Sequence, residues 1–315
     1  MIKILDLKTE KEYSLSSDDR LSCAIGNFDG VHEGHQRLIS FAAEKTEEIT
    51  KSAVFTFAVP TSHLKNGASL LMSPEQRYPI FRKLGIELLI LADFDEISSL
   101  SPTEFAEEIL YRRCQVRRAV CGFNFRYGNN ARGTAESLKK SFEAMGGITN
   151  IFPPYRFRGQ TVSSSEIREA LAVGNPERAR LMMGRPYSLT AEVVHGKMLG
   201  RTLGFPTANQ RFPAGRLVPK FGVYAVRICI DGNVYAGVAN VGVRPTVENT
   251  VSANCETFVF DYHGDLYGKT VTTEFFEFLR PERHFSDVNA LKSAVNLDIQ
   301  SAILYFQAEK EQNPL

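Results

Sequence analysis

The sequence predicts an α/β protein of two domains: a helix-covered parallel sheet over 1–184, then a small antiparallel β-barrel with a C-terminal helix over 185–315. Three observations predict it. Up to Arg185-Pro186, short apolar strands alternate with amphipathic helices, the pattern of a parallel sheet. After that dipeptide, closely spaced strands joined by turns take over, the pattern of a small barrel. A chain of 315 residues is also long enough for each half to bury its own core.

In the first half, Leu21–Ile25, Ala53–Phe57, Glu87–Leu91, Ala119–Gly122 and Thr149–Phe152 read as buried strands. Ser73-Pro74-Glu75-Gln76 sets a cap, an N1 proline and a capping-box glutamine in order, and Gly85 can end that helix. Ser101-Pro102-Thr103-Glu104 repeats the device. Helices near 165–172 and 176–183 close this half, the second starting at Asn175-Pro176. In the second half the strands are Leu189–His195, Phe221–Ile230, Val234–Val241, Ala253–Asp261 and Lys269–Phe278. Asp231-Gly232 reads as a tight hairpin turn, and Tyr262-His263-Gly264-Asp265 as another. Val288, Leu291, Val295, Ile299, Ile303 and Phe306 recur at helical spacing and place one helix against the barrel.

Composition narrows the partners. Lys and Arg number 37 against 36 Asp and Glu, which argues against broad capture of nucleic acid or of an anionic membrane. Small anionic ligands stay open, since a site needs few groups. The start has scattered charges and no apolar core like that of a signal peptide, and no apolar run reaches membrane-spanning length. The five cysteines are odd in number and lack a CxxC spacing, so free thiols in a reducing cytoplasm are expected and a zinc site is not. Self-association is not legible.

Directly after the first strand stands Gly26-Asn27-Phe28-Asp29-Gly30-Val31-His32-Glu33-Gly34-His35, with a helical stretch behind it. Glycines let backbone approach a phosphate, and the free N–H groups of a helix start attract anions. His32 and His35 can hydrogen-bond ATP phosphates as pyrophosphate leaves. Two histidines at this spacing are otherwise zinc ligands or a solvated helix start, but zinc needs a third ligand and none stands out. Two later segments suit the same site. Asn124 and Arg126 lie in a loop after the fourth strand, Asn124 to read a ring edge and Arg126, or Arg132, to meet a phosphate. Ser163-Ser164-Ser165 opens a helix with Arg168 one turn in, which suits a leaving polyphosphate; alone, it reads as a cap with a surface arginine.

The second signal is His195-Gly196-Lys197-Met198-Leu199-Gly200-Arg201-Thr202-Leu203-Gly204-Phe205-Pro206-Thr207-Ala208-Asn209. Gly196, Gly200 and Gly204 recur every fourth residue, and with Lys197 and Arg201 they suggest a mobile flap over phosphates. It is not a P-loop, because Pro206 disfavours the helix a P-loop requires. Thr207 and Asn209, alternating on an extended segment, can bind Mg²⁺ together with ATP phosphates. A kinase acting on an alcohol benefits from a carboxylate that accepts the hydroxyl proton. Glu256 is the candidate, with a solvent-facing alternation position as its equal rival. Arg280 either orients flavin or phosphate or is a surface arginine.

These segments resemble a family. The first three are similar, in this order, to the FMN adenylyltransferase module of bacterial bifunctional riboflavin kinase/FAD synthetases, within the HxGH nucleotidyltransferase superfamily. GxxxGRxLGFPTAN, Gly222-Val223-Tyr224-Ala225, Asn240–Thr246, Asp265–Lys269 and Leu279-Arg280 resemble riboflavin kinase. The resemblance implies a Rossmann-like nucleotidyltransferase domain followed by a barrel kinase domain, with riboflavin, FMN and ATP as substrates and Mg²⁺ accompanying ATP. It implies that His32 and His35 bind ATP phosphates beside the Gly26–Gly30 turn and that Asn124 contacts nucleotide or flavin. Ser164, Ser165 and Arg168 would steady the triphosphate. Thr207 and Asn209 would hold Mg²⁺-ATP, and Glu256 would activate the riboflavin 5′-hydroxyl. One departure is that Phe57-Ala58-Val59-Pro60-Thr61-Ser62-His63 stands where the family carries Pro-His-Pro. A kinase with a purely supporting first half, a non-enzymatic flavin-binding regulator and an RNA-charging relative are the competing readings.

Overall fold

A computed structural model describes residues 2–9, 16, 18–60, 63, 67–196, 207–245 and 251–312. They group into two compact units, 1–164 and 165–315, each taken by itself below.

The first unit is built on six parallel strands: β1 Lys3–Asp6, β2 Leu21–Ile25, β3 Lys51–Phe57, β4 Leu88–Ala92, β5 Val116–Gly122 and β6 Ile148–Phe152. Their order across the sheet is β1-β4-β3-β2-β5-β6, every neighbouring pair parallel. The five strands read from the sequence are all present. β1 has no such pattern, because Lys3 and Asp6 flank a single apolar pair and it lies at the sheet edge, where charged residues belong. Helix α1, Glu33–Ala43, packs on β2, β3 and β5 through Leu38, Ile39 and Ala42. α2, Pro74–Lys83, follows the predicted cap: the Ser73 hydroxyl accepts from the Gln76 N–H, and the Gln76 side chain answers on the Ser73 N–H. Residues 105–113, wound as a π-helix, and α3, Ala135–Ala144, bury Phe105, Leu110, Leu138 and Phe142 with Leu21, Cys23, Ala53 and Ala119 of the sheet. Successive strands β2, β3 and β4 run to one side and β5 starts again on the other side of β2. The carboxyl ends of β2 and β5 therefore flank a topological switch point, where open α/β sheets bind ligands.

α4, Ser164–Ala172, starts on the last residue of the first unit; in the second unit it and α5, Pro176–Met183, precede the barrel, and α5 packs on two of its strands. That packing is why the second unit starts before residue 185. The barrel is β7 Tyr187–Val194, β8 Thr207–Arg211, β9 Gly222–Ile230, β10 Asn233–Pro245, β11 Val251–Val259 and β12 Thr270–Arg280, closed in the order β7-β8-β11-β10-β9-β12 and antiparallel throughout. Ile230 pairs with Asn233, so Asp231-Gly232 makes the two-residue turn the sequence predicts. α6, Val288–Gln312, lays Ala302 and Phe306 on Val223, Ala225, Val238 and Phe276. All five cysteines are free thiols.

Candidate functional sites

In the first unit, the Gly26–His32 turn leaves the carboxyl end of β2 and enters α1. Its backbone is strained: Phe28, Gly30 and Val31 have φ of 49°, 78° and 34°, and a positive φ is costly for a β-branched valine. Strain of this kind persists only where the surroundings over-determine it. Here they do. Phe28 and Asp29 are buried, and the Asp29 carboxylate accepts from the Leu71 N–H at 3.0 Å. Ser164 donates its hydroxyl to the Asp29 carbonyl at 2.9 Å, so the predicted serine and the turn do meet. The side chains of Phe28 and Asp29 thus shape the turn from inside.

Below the turn lies a residue that sequence reasoning missed. Arg77 of α2 is 0% exposed. Its guanidinium donates to the carbonyls of Asn27 at 2.9 Å, Phe57 at 2.9 Å and Ala58 at 2.6 Å, tying the ends of β2 and β3 together. Burial lowers its pKa, the expected penalty for a desolvated cation. The available signal was helical spacing: Arg77 stands four residues before the buried Phe81, hence on the same inward face of α2. Arg77→Met should destabilise this unit by about 1–3 kcal/mol, the cost of leaving a buried acceptor without its donor, and lower its melting midpoint accordingly. Differential scanning calorimetry reads it directly, and an unchanged thermogram would show that the clamp is dispensable.

His32 is the N-cap of α1, and its Nδ1 accepts from the His35 N–H at 3.2 Å. A ring nitrogen that accepts leaves the neutral imidazole protonated at Nε2, so His32 carries a donor on its far side. The two imidazoles stack at 3.5 Å between centroids and 17° between planes, with the edge of Phe28 against His35 at 5.2 Å. His32 is 6% exposed and His35 half-buried. Asn124 and Arg126 are exposed in the loop after β5, across the switch point from the histidines. Ser165 and Arg168 fall in the second unit. His63, at the departure from Pro-His-Pro, engages the Ala68 carbonyl through Nδ1 at 2.8 Å; Thr61 and Ser62 lie outside the described residues.

In the second unit, a cavity of about 290 Å³ is lined by Thr207, Glu256 and Arg280, three of the predicted residues. Val223, Val238, Phe258 and Phe285 give it apolar walls, and Asn240 and Glu282 add polar groups. Register explains the wall that carries the chemistry. Asn209 and Asn240 are the cross-strand partners of Glu256 on either side, so the three side chains share one face of the sheet. Asn209 is buried beside Thr207, its Nδ2 donating to the Thr207 carbonyl at 3.2 Å and reaching the Thr207 hydroxyl at 3.4 Å. A Cβ on Gly196 would stand 2.6 Å from the Asn209 amide, which is why the start of the flap segment is glycine. Gly200, Arg201, Gly204 and Pro206, with Lys197, lie outside the described residues. Arg280 makes a two-pronged ion pair with Asp298 of α6 at 2.8 Å for each prong, so the terminal helix fixes it at the cavity. No cluster of three or more His, Cys, Asp or Glu able to hold a metal occurs among the described residues.

A riboflavin kinase family model matches residues 183–306, and an FAD synthetase model matches residues 15–166. A bifunctional riboflavin kinase/FMN adenylyltransferase of Bacillus subtilis (strain 168) is 36% identical, covering 90% of this chain and 92% of that protein. Proteins of the same description from Listeria monocytogenes and Pseudomonas fluorescens are 32% and 34% identical, over 90% and 88% of this chain and 91% and 90% of theirs. A crystal structure described as a macrolide-efflux protein from Streptococcus pneumoniae superposes with a TM-score of 0.85 at 30% identity, covering 96% of this chain and 99% of that one. No helix among the described residues is long and apolar enough to cross a membrane.

Proposed function

This chain belongs to the family of bifunctional riboflavin kinase/FMN adenylyltransferases, and from that premise we propose how its residues divide the two activities. Residues 185–315 phosphorylate riboflavin with ATP, giving FMN and ADP. Residues 1–184 transfer AMP from ATP to FMN, giving FAD and pyrophosphate. The observation that carries the reading is the barrel cavity, which sets Glu256 and Thr207 on one polar wall beside apolar walls suited to a flat ring. A tricyclic aromatic with a polyol tail needs that combination.

In the kinase half, Glu256 accepts the proton of the riboflavin 5′-hydroxyl as its oxygen bonds the γ-phosphorus and the bond to ADP breaks. Thr207 and Asn209 offer hard, neutral oxygens, which suits an ion that arrives with nucleotide and keeps most of its ligands from phosphate and water. Mg²⁺ bound there would neutralise charge on the transferring phosphoryl group. In the adenylyltransferase half, an FMN phosphate oxygen bonds the α-phosphorus of ATP and pyrophosphate departs. His32 through Nε2, and His35 stacked on it, donate to the oxygens that gain charge. The Gly26–Gly30 turn, Asn124, Arg126 and Ser164 complete the nucleotide and flavin contacts. The flap glycines and Arg201 cover the second ATP, with Arg280 at the flavin. We place these reactions in the cytoplasm, in keeping with five free thiols.

Incubating the purified chain with riboflavin, ATP and Mg²⁺ and separating the flavins tests the reading. FMN should appear first and FAD after it. If supplied FMN gave no FAD, the first half would be a scaffold; if neither product formed, the chain would be a binding protein.

A further inference from the structure

We infer that Asn254 is a positioning residue of the kinase reaction, holding the general base and the phosphate-side asparagine in one fixed arrangement. The inference rests on the reading of Glu256 as base. Asn254 precedes Glu256 by two residues on β11, so both side chains lie on the same face. It is 5% exposed. Its Nδ2 stands 3.3 Å from Asn209 Oδ1 and 3.3 Å from Glu256 Oε1.

Only one set of amide orientations satisfies these contacts. The Thr207 carbonyl can only accept, so Asn209 must turn its NH₂ toward Thr207 and its oxygen toward Asn254. Asn254 then faces two acceptors, the Asn209 oxygen and the Glu256 carboxylate, and must present its NH₂ to both. A carboxamide has two N–H bonds, one for each. The result is an unbroken chain from Thr207, where ATP phosphate is expected, through Asn209 and Asn254, to the base. With Asn209 and Asn254 buried and each orientation fixed by the next, the chain sets the separation of proton acceptor and phosphoryl donor. Errors of about 1 Å in such a separation cost about 100-fold in rate.

The test uses the full chain, whose FMN adenylylation serves as an internal control. Asn254→Asp keeps the shape and replaces donors with acceptors; Asn254→Leu removes both donors at similar volume. Each should lower kcat for riboflavin phosphorylation by about 10- to 100-fold. The riboflavin KM, the riboflavin affinity from flavin fluorescence quenching, and FAD formation from FMN should stay within about twofold of the parent. Asn254→Ser keeps one donor, since a hydroxyl has one hydrogen where the amide has two, and should fall between the parent and Asn254→Leu. A merely space-filling role predicts instead that Asp and Leu, which fill a similar volume, behave as Asn and that only the smaller Ser is impaired, and that outcome overturns the inference. So does a kcat within about twofold of the parent in Asn254→Ser, the deciding measurement if the other two variants do not fold. Full kinase activity in Glu256→Gln, by contrast, would remove the base itself and identify the underlying reading as the failure.

Discussion

Glu256→Gln should lower riboflavin phosphorylation by about 100- to 10,000-fold, the range that a positioned general base contributes. FAD formation from supplied FMN should not change. The substitution is close to isosteric, and Glu256 lies in a strand whose hydrogen bonds do not depend on its side chain. The amide oxygen can still accept from Asn254 Nδ2, so the polar row with Asn209 should survive. What is lost is the capacity to take a proton from the riboflavin hydroxyl. The deficit should therefore sit in kcat, with the riboflavin KM little altered. Parallel assays of FMN and FAD formation on one preparation measure both limbs. Equal loss of the two activities would show that the division of labour between the halves is wrong. A retained kinase rate would mean that another group takes the proton.

The fold was legible wherever local chemistry is emphatic. The caps at Ser73 and Ser101, the apolar strands at Leu21 and Ala53, and the Asp231-Gly232 turn act within a few residues and landed where their sequences place them. β1 did not, because a short charged edge strand has no pattern of its own and exists through pairing with β4, more than eighty residues away. The sites divide in the same manner. The histidines and Thr207-Ala208-Asn209 are contiguous motifs, and a single loop or strand carries them. Arg77, Asn240, Asn254 and Asp298 matter through tertiary partners: carbonyls at the ends of two strands, a register position, the Asn209 oxygen on the neighbouring strand, and a guanidinium on the last barrel strand. Apart from the helical spacing that turns Arg77 inward, nothing local marks such residues. A buried polar side chain is functional or structural according to what tertiary structure brings to it.

Changing both His32 and His35 to alanine should do the reverse of Glu256→Gln: FAD formation falls by about 100- to 1,000-fold for each lost donor to developing charge, and FMN formation persists. The single variants separate catalysis from stability. His32 caps α1, so His32→Ala also deprives the His35 N–H of its acceptor, at about 0.5–2 kcal/mol. His32→Ser restores a cap without restoring an imidazole, so it should recover the melting midpoint and leave adenylylation low. His35 carries no cap, and its ring is held by the stack on His32 and the edge of Phe28. His35→Ala should thus spare the helix and act on the chemistry. If His32→Ser recovered activity along with stability, the ring at position 32 would be a structural cap and only His35 would face the triphosphate.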